Sequence, residues 1–410
     1  MNSIKKNGAN ATVAAMIGNA LEHYDMSLYG FMVPVLISIF LPEVETLNAL
    51  ILTFVFTPIS IIIRPIGALT IGRIGDIYGR KTALTVSIGG MAIVTGIIGF
   101  LPTYESIGIW APILFLILRS TQGFFIAGES CGGAVFVLEH SESNKGYMSG
   151  LYGSYAVVGM LAAAIIATIT TFFPEKFWRV PYLIGSLTGI VGFYIRTNIS
   201  ETPKFLKYKN VKPIRTREVI KEYKALFSGI GVSALHSALY LLPAYLLNSL
   251  LPIITPFKLP VIMSINTGAT ILYMIALPFF GKLADKTSAR KSMILAAIAT
   301  MLLSYPLISL ISFHNLYLLI VMKAAFAILT AWFCAPFYAW MHGLFHTKQR
   351  YTSISLSHSL GGQLGGFMVP VAIWLWKHTE SLASIYGILI FWSIISILSL
   401  IGSKFLKTHD

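Results

Sequence analysis

The sequence predicts an all-α membrane protein in which twelve transmembrane helices form two similar six-helix halves. Only 11% of the 410 residues are charged, whereas typical soluble domains carry about 25%, and the mean hydropathy is +0.75. Apolar segments recur along the whole chain, and a charged motif occurs once in each half. Most of the protein surface is therefore expected to face lipid.

The apolar segments predict the individual helices. A helix needs roughly 20 apolar residues to cross the hydrocarbon core of a bilayer. Segments of that length begin near residues 12, 47, 82, 109, 146, 178, 223, 259, 291, 316, 351 and 381. The first contains Glu22 and Asp25 and lacks a small-residue cleavage site, so we interpret it as a retained helix rather than a signal peptide.

The longest charged spacer divides the chain. Residues 196–224 carry nine Lys and Arg residues and lie between the sixth and seventh apolar segments. They predict an N-terminal six-helix bundle over residues 1–198, a basic cytoplasmic connector over 199–222 and a C-terminal bundle over 223–410. A basic segment that binds lipid or nucleic acid is the alternative interpretation.

Charge asymmetry predicts the orientation. With the N-terminus inside, 23 of the 30 Lys and Arg residues lie on the cytoplasmic side, four on the opposite side and three within spans. Such an excess of positive charge in cytoplasmic loops sets the topology of membrane proteins. Both termini are therefore expected in the cytoplasm, and the net charge of +14 requires no nucleic-acid partner.

A charged motif indicates an internal duplication. "GRIGDIYGRK" (72–81) joins the second and third predicted spans of the first half, and "GKLADKTSARK" (281–291) joins the same two spans of the second. Arg119 and Lys323 occupy matching places in the two fourth spans. Transporters are often built from such repeats, with the binding site near the bilayer midplane at the repeat interface.

Four stretches of the first half carry a family resemblance. They are "GNALEHYDMSLYG" (18–30), "RPIGALTIGRIGDIYGRK" (64–81), "RSTQGFFIAGESCGGA" (119–134) and "WRVPYLIG" (178–185) with "YIRTNISETPKF" (194–205). They resemble the major facilitator superfamily and, within it, the metabolite–proton symporters, which include the proline/betaine, α-ketoglutarate, citrate and shikimate permeases. The resemblance implies the major facilitator fold and proton symport of a small polar metabolite by alternating access. His23, Met26 and Ala127 depart from the family pattern.

Charged side chains inside the predicted spans are the candidates for chemistry. They are Glu22, Asp25, Arg64, Arg119, Glu129 and Lys323. Each costs about 2.5–3.5 kcal/mol at the centre of a membrane helix, so these groups are expected to face a shared aqueous cavity, to pair, or both. Glu22, Asp25 and Tyr29 share one helical face, and Arg119 shares a face with Gln122.

The resemblance assigns proton coupling to Asp25, Glu129 and Arg119, and we group Glu22 with them. A carboxylate that alternates between an arginine and a proton can couple transport to protons. Static structural ion pairs are the alternative for all of these residues.

Five residues are candidates for substrate binding. They are Tyr29, Arg64, Gln122, Lys323 and His236. Lys323 either binds a substrate carboxylate or balances a nearby acid, and His236 is either a packing residue or a proton relay. A zwitterion needs one cation together with an anion or an aromatic cage, whereas a dicarboxylate prefers two cations, and both substrate classes remain open.

The charged motif predicts a cytoplasmic gate. Its members are Gly72, Arg73, Asp76, Gly79, Arg80 and, in the second half, Asp285. Asp76 is expected to pair with Arg73 or Arg80 as an exposed ion pair worth about 0–1 kcal/mol. The resemblance implies that this loop latches against the eleventh helix, and a positive-inside anchor is the alternative.

Catalytic patterns are missing from the sequence. We find no phosphate-binding loop, no metal-ligand cluster and no nucleophile elbow, so we expect neither an enzyme nor a cofactor or metal. The expected partners are a small polar metabolite, protons and the lipid bilayer, for a monomer in a bacterial inner membrane. The alternative function is a non-transporting receptor that retains the transporter fold.

Overall fold

The computed structural model describes residues 2–42, 57–141, 143–170, 172–208, 219 and 221–406, and these are almost entirely helical. The long helices of the first half are α1 (Asn2–Phe40), α2 (Thr57–Ile77), α3 (Arg80–Gly99), α4 (Trp110–His140), α5 (Lys145–Thr170) and α6 (Arg179–Thr197). Those of the second half are α7 (Tyr223–Leu241), α8 (Leu259–Lys286), α9 (Ala289–Ser309), α10 (Leu316–Cys334), α11 (Arg350–Thr379) and α12 (Ala383–Gly402).

Ten of the twelve predicted span starts lie within two residues of an observed helix start. Helix α1 begins about ten residues earlier than predicted, and the predicted start near residue 47 lies outside the described residues. In the described part of the chain, seven helices are long and apolar enough to cross a membrane by length and composition. The number of crossings, twelve, stays a prediction.

The chain divides into two compact units. Unit 1 comprises Met1–His140, Tyr155–Ile214 and Thr347–Leu356, and unit 2 comprises Ser141–Ser154, Arg215–His346 and Ser357–Asp410. The first turns of α11 therefore belong to unit 1, and the first turns of α5 belong to unit 2.

Unit 1 is built around α3, α4 and α6, with α1 packed on α4 and α6. A buried cluster joins Leu28, Met32 and Phe40 of α1 to Trp178 and Tyr182 at the start of α6. Outer faces of the same helices expose large apolar side chains, for example Ile93, Leu187 and Ile190. Such a surface suits contact with lipid rather than water.

Glycine allows the sharp turn between α2 and α3. Gly79 has a φ of 114°, a region that side chains of L-residues rarely adopt. A Cβ atom at this position would also collide with the carboxylate of Glu201. The turn brings the charged end of α2 next to the start of α3.

Unit 2 packs α7 and α9 against α12, and α8 against α10. A proline interrupts α7: a π-helical turn, Leu242–Leu246, contains Pro243, and an α-helix resumes over Leu247–Ile254. Proline has no backbone N–H group, so Pro243 cannot donate to the carbonyl of Leu239, four residues earlier. The hydroxyl of Thr330 donates to that carbonyl instead, at 3.2 Å.

Candidate functional site

A chain of hydrogen bonds crosses the interior of unit 1. Arg119 Nη1 donates to Gln122 Oε1 at 2.6 Å, Gln122 Nε2 donates to Thr95 Oγ1 at 2.7 Å, and Thr95 Oγ1 donates to Asp25 Oδ2 at 2.9 Å. Every bond points from the guanidinium toward the carboxylate. Thr95 on α3 thus links two charged residues of α1 and α4, and the sequence analysis had not singled it out.

The two ends of this relay differ in their surroundings. The guanidinium of Arg119 lies over the ring of Tyr29, with its carbon 4.2 Å from the ring centroid. Asp25 is buried, and its Oδ1 has no hydrogen-bond partner among the described residues. Gly185 makes room for this oxygen, because a Cβ atom there would collide with it. Oδ2 of Asp25 therefore accepts a hydrogen bond, whereas Oδ1 is available to bind a proton.

A second buried cluster holds the other two acids. Glu129 forms an ion pair with Arg196, and Ser130 Oγ donates a hydrogen bond to Glu22. Glu22 and Glu129 are close enough to repel each other electrostatically. None of these side chains except that of Ser130 is more than 2% exposed.

The position of Arg196 corrects the sequence analysis. The sequence predicts it in the charged spacer over residues 196–224, whereas it lies in the last turn of α6, fully buried, and its Nη1 also donates to the carbonyl of Leu84 at 3.2 Å. Glu129 therefore pairs with a cation that was not among the three expected inside spans. The apolar segment before Arg196 continues without interruption up to this residue, and this continuity was the sequence signal that Arg196 belongs to the helix.

Arg64 lies near the cluster of Glu22 and Glu129. Its side chain is half-buried on α2, near Gly123, and it is close enough to Glu22 to interact electrostatically. The structure thus groups Arg64 with the Glu22 cluster and Gln122 with Arg119.

Lys323 lies in unit 2 and is 2% exposed. Its Nζ donates to the backbone carbonyl of Pro243 at 2.6 Å, to Asn248 Oδ1 at 2.7 Å and to Asn266 Oδ1 at 3.3 Å. All three acceptors are neutral oxygens, and they account for the three N–H donors of a lysine ammonium.

His236 belongs to an aromatic cluster of unit 2. Its ring stacks on Phe337 with centroids 4.3 Å apart and meets the ring of His358 at 5.6 Å. The ring centroid of Tyr338 lies 6.1 Å from that of His358. The ring of Tyr152 lies edge-on to that of Tyr338, with centroids 5.7 Å apart. Three of these rings, His236, Tyr338 and His358, are only half-buried.

Asp76, at the end of α2, binds the first turn of α11. Its carboxylate accepts hydrogen bonds from the backbone N–H groups of Tyr351 at 3.2 Å and Thr352 at 2.9 Å, and from Thr352 Oγ1 at 2.6 Å. Gly72 permits this approach, because a Cβ atom there would lie 2.7 Å from the Cα of Thr352. Arg73 lies half-buried on the same helix.

The ion pair of the charged motif is buried, not exposed as expected. Arg80 Nη1 lies 3.3 Å from Asp76 Oδ1, and the two side chains are 1% and 7% exposed. Helix α11 covers the pair, and its residues are far away in the sequence, so the local pattern did not indicate burial.

Arg80 also joins a network that the sequence analysis missed. Its guanidinium contacts Glu139 at 3.2 Å and donates to the carbonyl of Thr347 at 2.7 Å. Glu139 additionally accepts from Arg350 at 3.3 Å and from Thr202 at 2.7 Å.

Glu201 lies beside this network, in the loop after α6. Its carboxylate accepts hydrogen bonds from the backbone N–H groups of Lys81 and Thr202, at 3.0 and 2.7 Å. Burial raises the pKa of the Glu201 carboxyl above its ordinary value, and these two hydrogen bonds oppose the shift. Glu201 lies in the stretch 194–205 that resembles the family pattern, and this acid was the sequence signal for this part of the network.

Asp285 repeats the arrangement in unit 2. It lies near the end of α8 and accepts from the backbone N–H groups of Gly146 at 2.7 Å and Tyr147 at 2.8 Å, in the first turn of α5. Asp76 and Asp285 thus each bind the second and third residues of a helix, where backbone N–H groups have no partner within the helix.

Comparisons with known proteins agree with this architecture. The family model described as "Sugar (and other) transporter" matches residues 11–228. A proline/betaine transporter of Salmonella typhimurium is 30% identical over 91% of this chain and 78% of its own length. A glycine betaine/proline/ectoine/pipecolic acid transporter of Dickeya dadantii is 29% identical over 97% and 83%. The solved structure of the proton:xylose symporter XylE superposes with a TM-score of 0.75, at 14% identity, over 98% of this chain and 96% of that one.

Proposed function

Since this chain belongs to the major facilitator superfamily and matches its sugar (and other) transporter family, we propose that it is a proton-coupled symporter of a small zwitterion such as proline or a betaine. The predicted superfamily and fold are confirmed, and the protein is a multi-pass membrane transporter. The named relatives are transporters of proline and betaines, which supports the substrate class.

The relay from Arg119 to Asp25 is the observation that carries the proposal of proton coupling. Its hydrogen bonds donate toward Asp25 and favour the ionised carboxylate. A substrate carboxylate that binds Arg119 competes with Gln122 for the guanidinium and weakens the donors that reach Asp25. Asp25 then takes up a proton more readily, so substrate and proton bind together, as symport requires.

The cations inside the helices favour a substrate with one carboxylate. Arg196 is paired with Glu129, Arg64 interacts electrostatically with Glu22, and the ammonium of Lys323 is satisfied by three oxygens. Arg119 is held by one neutral side chain, Gln122, and by the ring of Tyr29, so it can exchange a partner at lower cost. A zwitterion that brings one carboxylate fits this arrangement better than a dicarboxylate.

The aromatic cluster around His236 is a candidate site, within unit 2, for an ammonium group. Quaternary ammonium groups bind the faces of aromatic rings, and the half-buried rings of His236, Tyr338 and His358 lie within 6.4 Å of one another, centroid to centroid. The partly exposed rings support a binding role in addition to packing.

We propose a monomer in a bacterial inner membrane, with both termini in the cytoplasm and no nucleic-acid partner. The receptor alternative is not favoured, because the named relatives are transporters and the acids inside the helices are retained. Transport by this route needs no catalytic residue and no cofactor.

Uptake by proteoliposomes tests the function. The purified protein should accumulate labelled proline or glycine betaine when the outside is more acidic, and a labelled dicarboxylate should not accumulate. Asp25→Asn cannot exchange a proton, so it should abolish accumulation driven by the pH gradient while part of the substrate exchange survives. Glu380→Gln, an exposed acid, is the matched control and should behave as wild type. Full gradient-driven accumulation by Asp25→Asn would reject Asp25 as the coupling group.

A further inference from the structure

The ammonium of Lys323 occupies a small cage of oxygens inside unit 2. The cage consists of the Pro243 carbonyl, Asn248 Oδ1 and Asn266 Oδ1, at 2.6, 2.7 and 3.3 Å from Nζ. The lysine arrives from α10, one asparagine from α8, and the other two oxygens from the interrupted end of α7. A charge carried on one helix is therefore bound by oxygens of two others.

The π-helical turn explains why the backbone oxygen is available. In an α-helix the N–H of Leu247 would donate to the carbonyl of Pro243. In this structure the N–H of Leu247 donates to the carbonyl of Leu242, five residues earlier. The carbonyl of Pro243 thereby loses its α-helical donor, and the ammonium of Lys323 takes that place.

The cage balances the positive charge with dipoles rather than with an acid. Among the ion pairs found in the described part of the chain, none involves Lys323. Transporters use the same kind of ligands, backbone carbonyls and amide oxygens, to bind soluble cations where an interrupted helix exposes its carbonyls.

We propose that this cage is a monovalent-cation site that Lys323 occupies permanently, as a tethered substitute for a soluble Na⁺ or K⁺ ion. The lysine would then supply the charge that holds the broken end of α7 to α8 and α10, so transport would need no soluble cation other than the proton. The transport readout rests on the proposed function, whereas cation binding to the cage does not.

Removal of the ammonium tests the site by a readout that needs no substrate. The melting temperature of detergent-purified Lys323→Ala is measured in NaCl, KCl and N-methyl-D-glucamine chloride at equal ionic strength. N-methyl-D-glucamine is too large for the cage and carries no quaternary ammonium group. We expect the variant to melt below wild type in N-methyl-D-glucamine chloride and to regain stability, saturably, with Na⁺ or K⁺. Wild type should melt at the same temperature in all three salts.

Two variants control for general salt effects. Lys282→Ala removes an exposed lysine of α8 and should acquire no cation response. Asn266→Leu combined with Lys323→Ala removes one cage oxygen and should abolish the response of the single variant. Equal melting of Lys323→Ala in all three salts, or a response that survives Asn266→Leu, would overturn the proposal, as would failure of Lys323→Ala to fold in every salt.

Wild-type uptake supplies a measurement that does not depend on the stability of a variant. At a constant pH gradient, uptake should be equal in sodium, potassium and N-methyl-D-glucamine buffers. A saturable requirement for Na⁺ or K⁺ would overturn the proposal. If wild type carries neither proline nor a betaine, the proposed function fails, and the melting experiment still decides whether the cage binds a cation.

Discussion

At the scale of single residues, Thr95 shows how a neutral side chain can connect two charges. It has no charge and no place in the family pattern, yet its hydroxyl is the only link between Gln122 and Asp25 in the relay described above. A hydrogen bond to a charged group contributes about 1.5–3 kcal/mol, which is enough to influence the proton affinity of a buried carboxylate.

Thr95→Val tests the relay without changing any charge. The substitution keeps the shape of the side chain and removes the hydroxyl, so Asp25 loses its donor. We expect gradient-driven uptake to fall by about tenfold, since 1.4 kcal/mol corresponds to a factor of ten. Thr85→Val on the same helix is the control, because its hydroxyl bonds only to the backbone of Lys81 in its own helix. Wild-type uptake by Thr95→Val would exclude the relay from coupling.

Arg196 is a second residue of interest, and its role depends on burial. Its guanidinium is the charge partner of Glu129, and both side chains are at most 1% exposed. Breaking a buried ion pair by removing one partner costs about 3–5 kcal/mol, because the remaining charge stays buried.

Arg196→Gln should therefore lower the free energy of unfolding strongly, as measured by denaturation in mixed detergent micelles. The double variant Glu129→Gln with Arg196→Gln removes both charges of this pair and should recover much of the loss. Lys207→Gln, an exposed lysine beyond α6, should have no effect. An equal loss in the single and double variants would mean that the pairing contributes little.

At the scale of elements, an aspartate from another helix of the same unit binds the first turn of two helices. Asp76 binds the first turn of α11 and Asp285 that of α5. Negative charge near a helix N-terminus is favourable, because its backbone N–H groups are unpaired and the helix dipole is positive there. Asp76 has two contacts more, the Thr352 hydroxyl and the Arg80 ion pair.

Asp76→Asn should loosen the first turn of α11 more than Asp285→Asn loosens that of α5. An asparagine keeps the size but loses the charge and one acceptor oxygen. A cysteine placed at Ser353, which is buried, reports the change by its labelling with a maleimide. The native Cys131 and Cys334 are buried and should give little background.

Faster labelling and slower transport in Asp76→Asn, with normal membrane abundance, would support the latch that the family resemblance implies. Unchanged labelling and unchanged transport would leave the charged motif as a positive-inside anchor.

At the scale of the whole molecule, charge asymmetry is the feature that predicts orientation. The basic connector and the loop after α8 carry most of the excess, and only Lys176, Arg179, Lys258 and Lys377 are predicted on the opposite side. The positive-inside rule acts during insertion and does not depend on tertiary packing.

Reporter fusions test the predicted orientation. A fluorescent protein fused after Lys224 should fold in the cytoplasm and be bright, whereas alkaline phosphatase fused after Lys258 should be exported and active. Exchange of the two reporters supplies the control, since each should then be inactive. Active phosphatase after Lys224 would reverse the predicted topology.

The sequence alone was sufficient for the helices and the family. Apolar length and turn residues are local properties, so ten helix starts were predicted within two residues, and the family stretches identified the fold. Charged positions on α1 and α4 could likewise be named in advance. Their partners could not, because a partner depends on which helix faces meet, and periodicity does not specify that.

Tertiary structure decided the partners. Glu129 binds Arg196 rather than one of the expected cations, and Glu139 binds Arg350 across 211 residues of sequence. Lys323 meets three neutral oxygens, one of which is a backbone carbonyl that loses its α-helical donor at the π-helical turn after α7. Asp76 was expected in solvent and is buried under α11. In each case a side chain is satisfied by groups distant in sequence, and only helix packing brings them within hydrogen-bond distance.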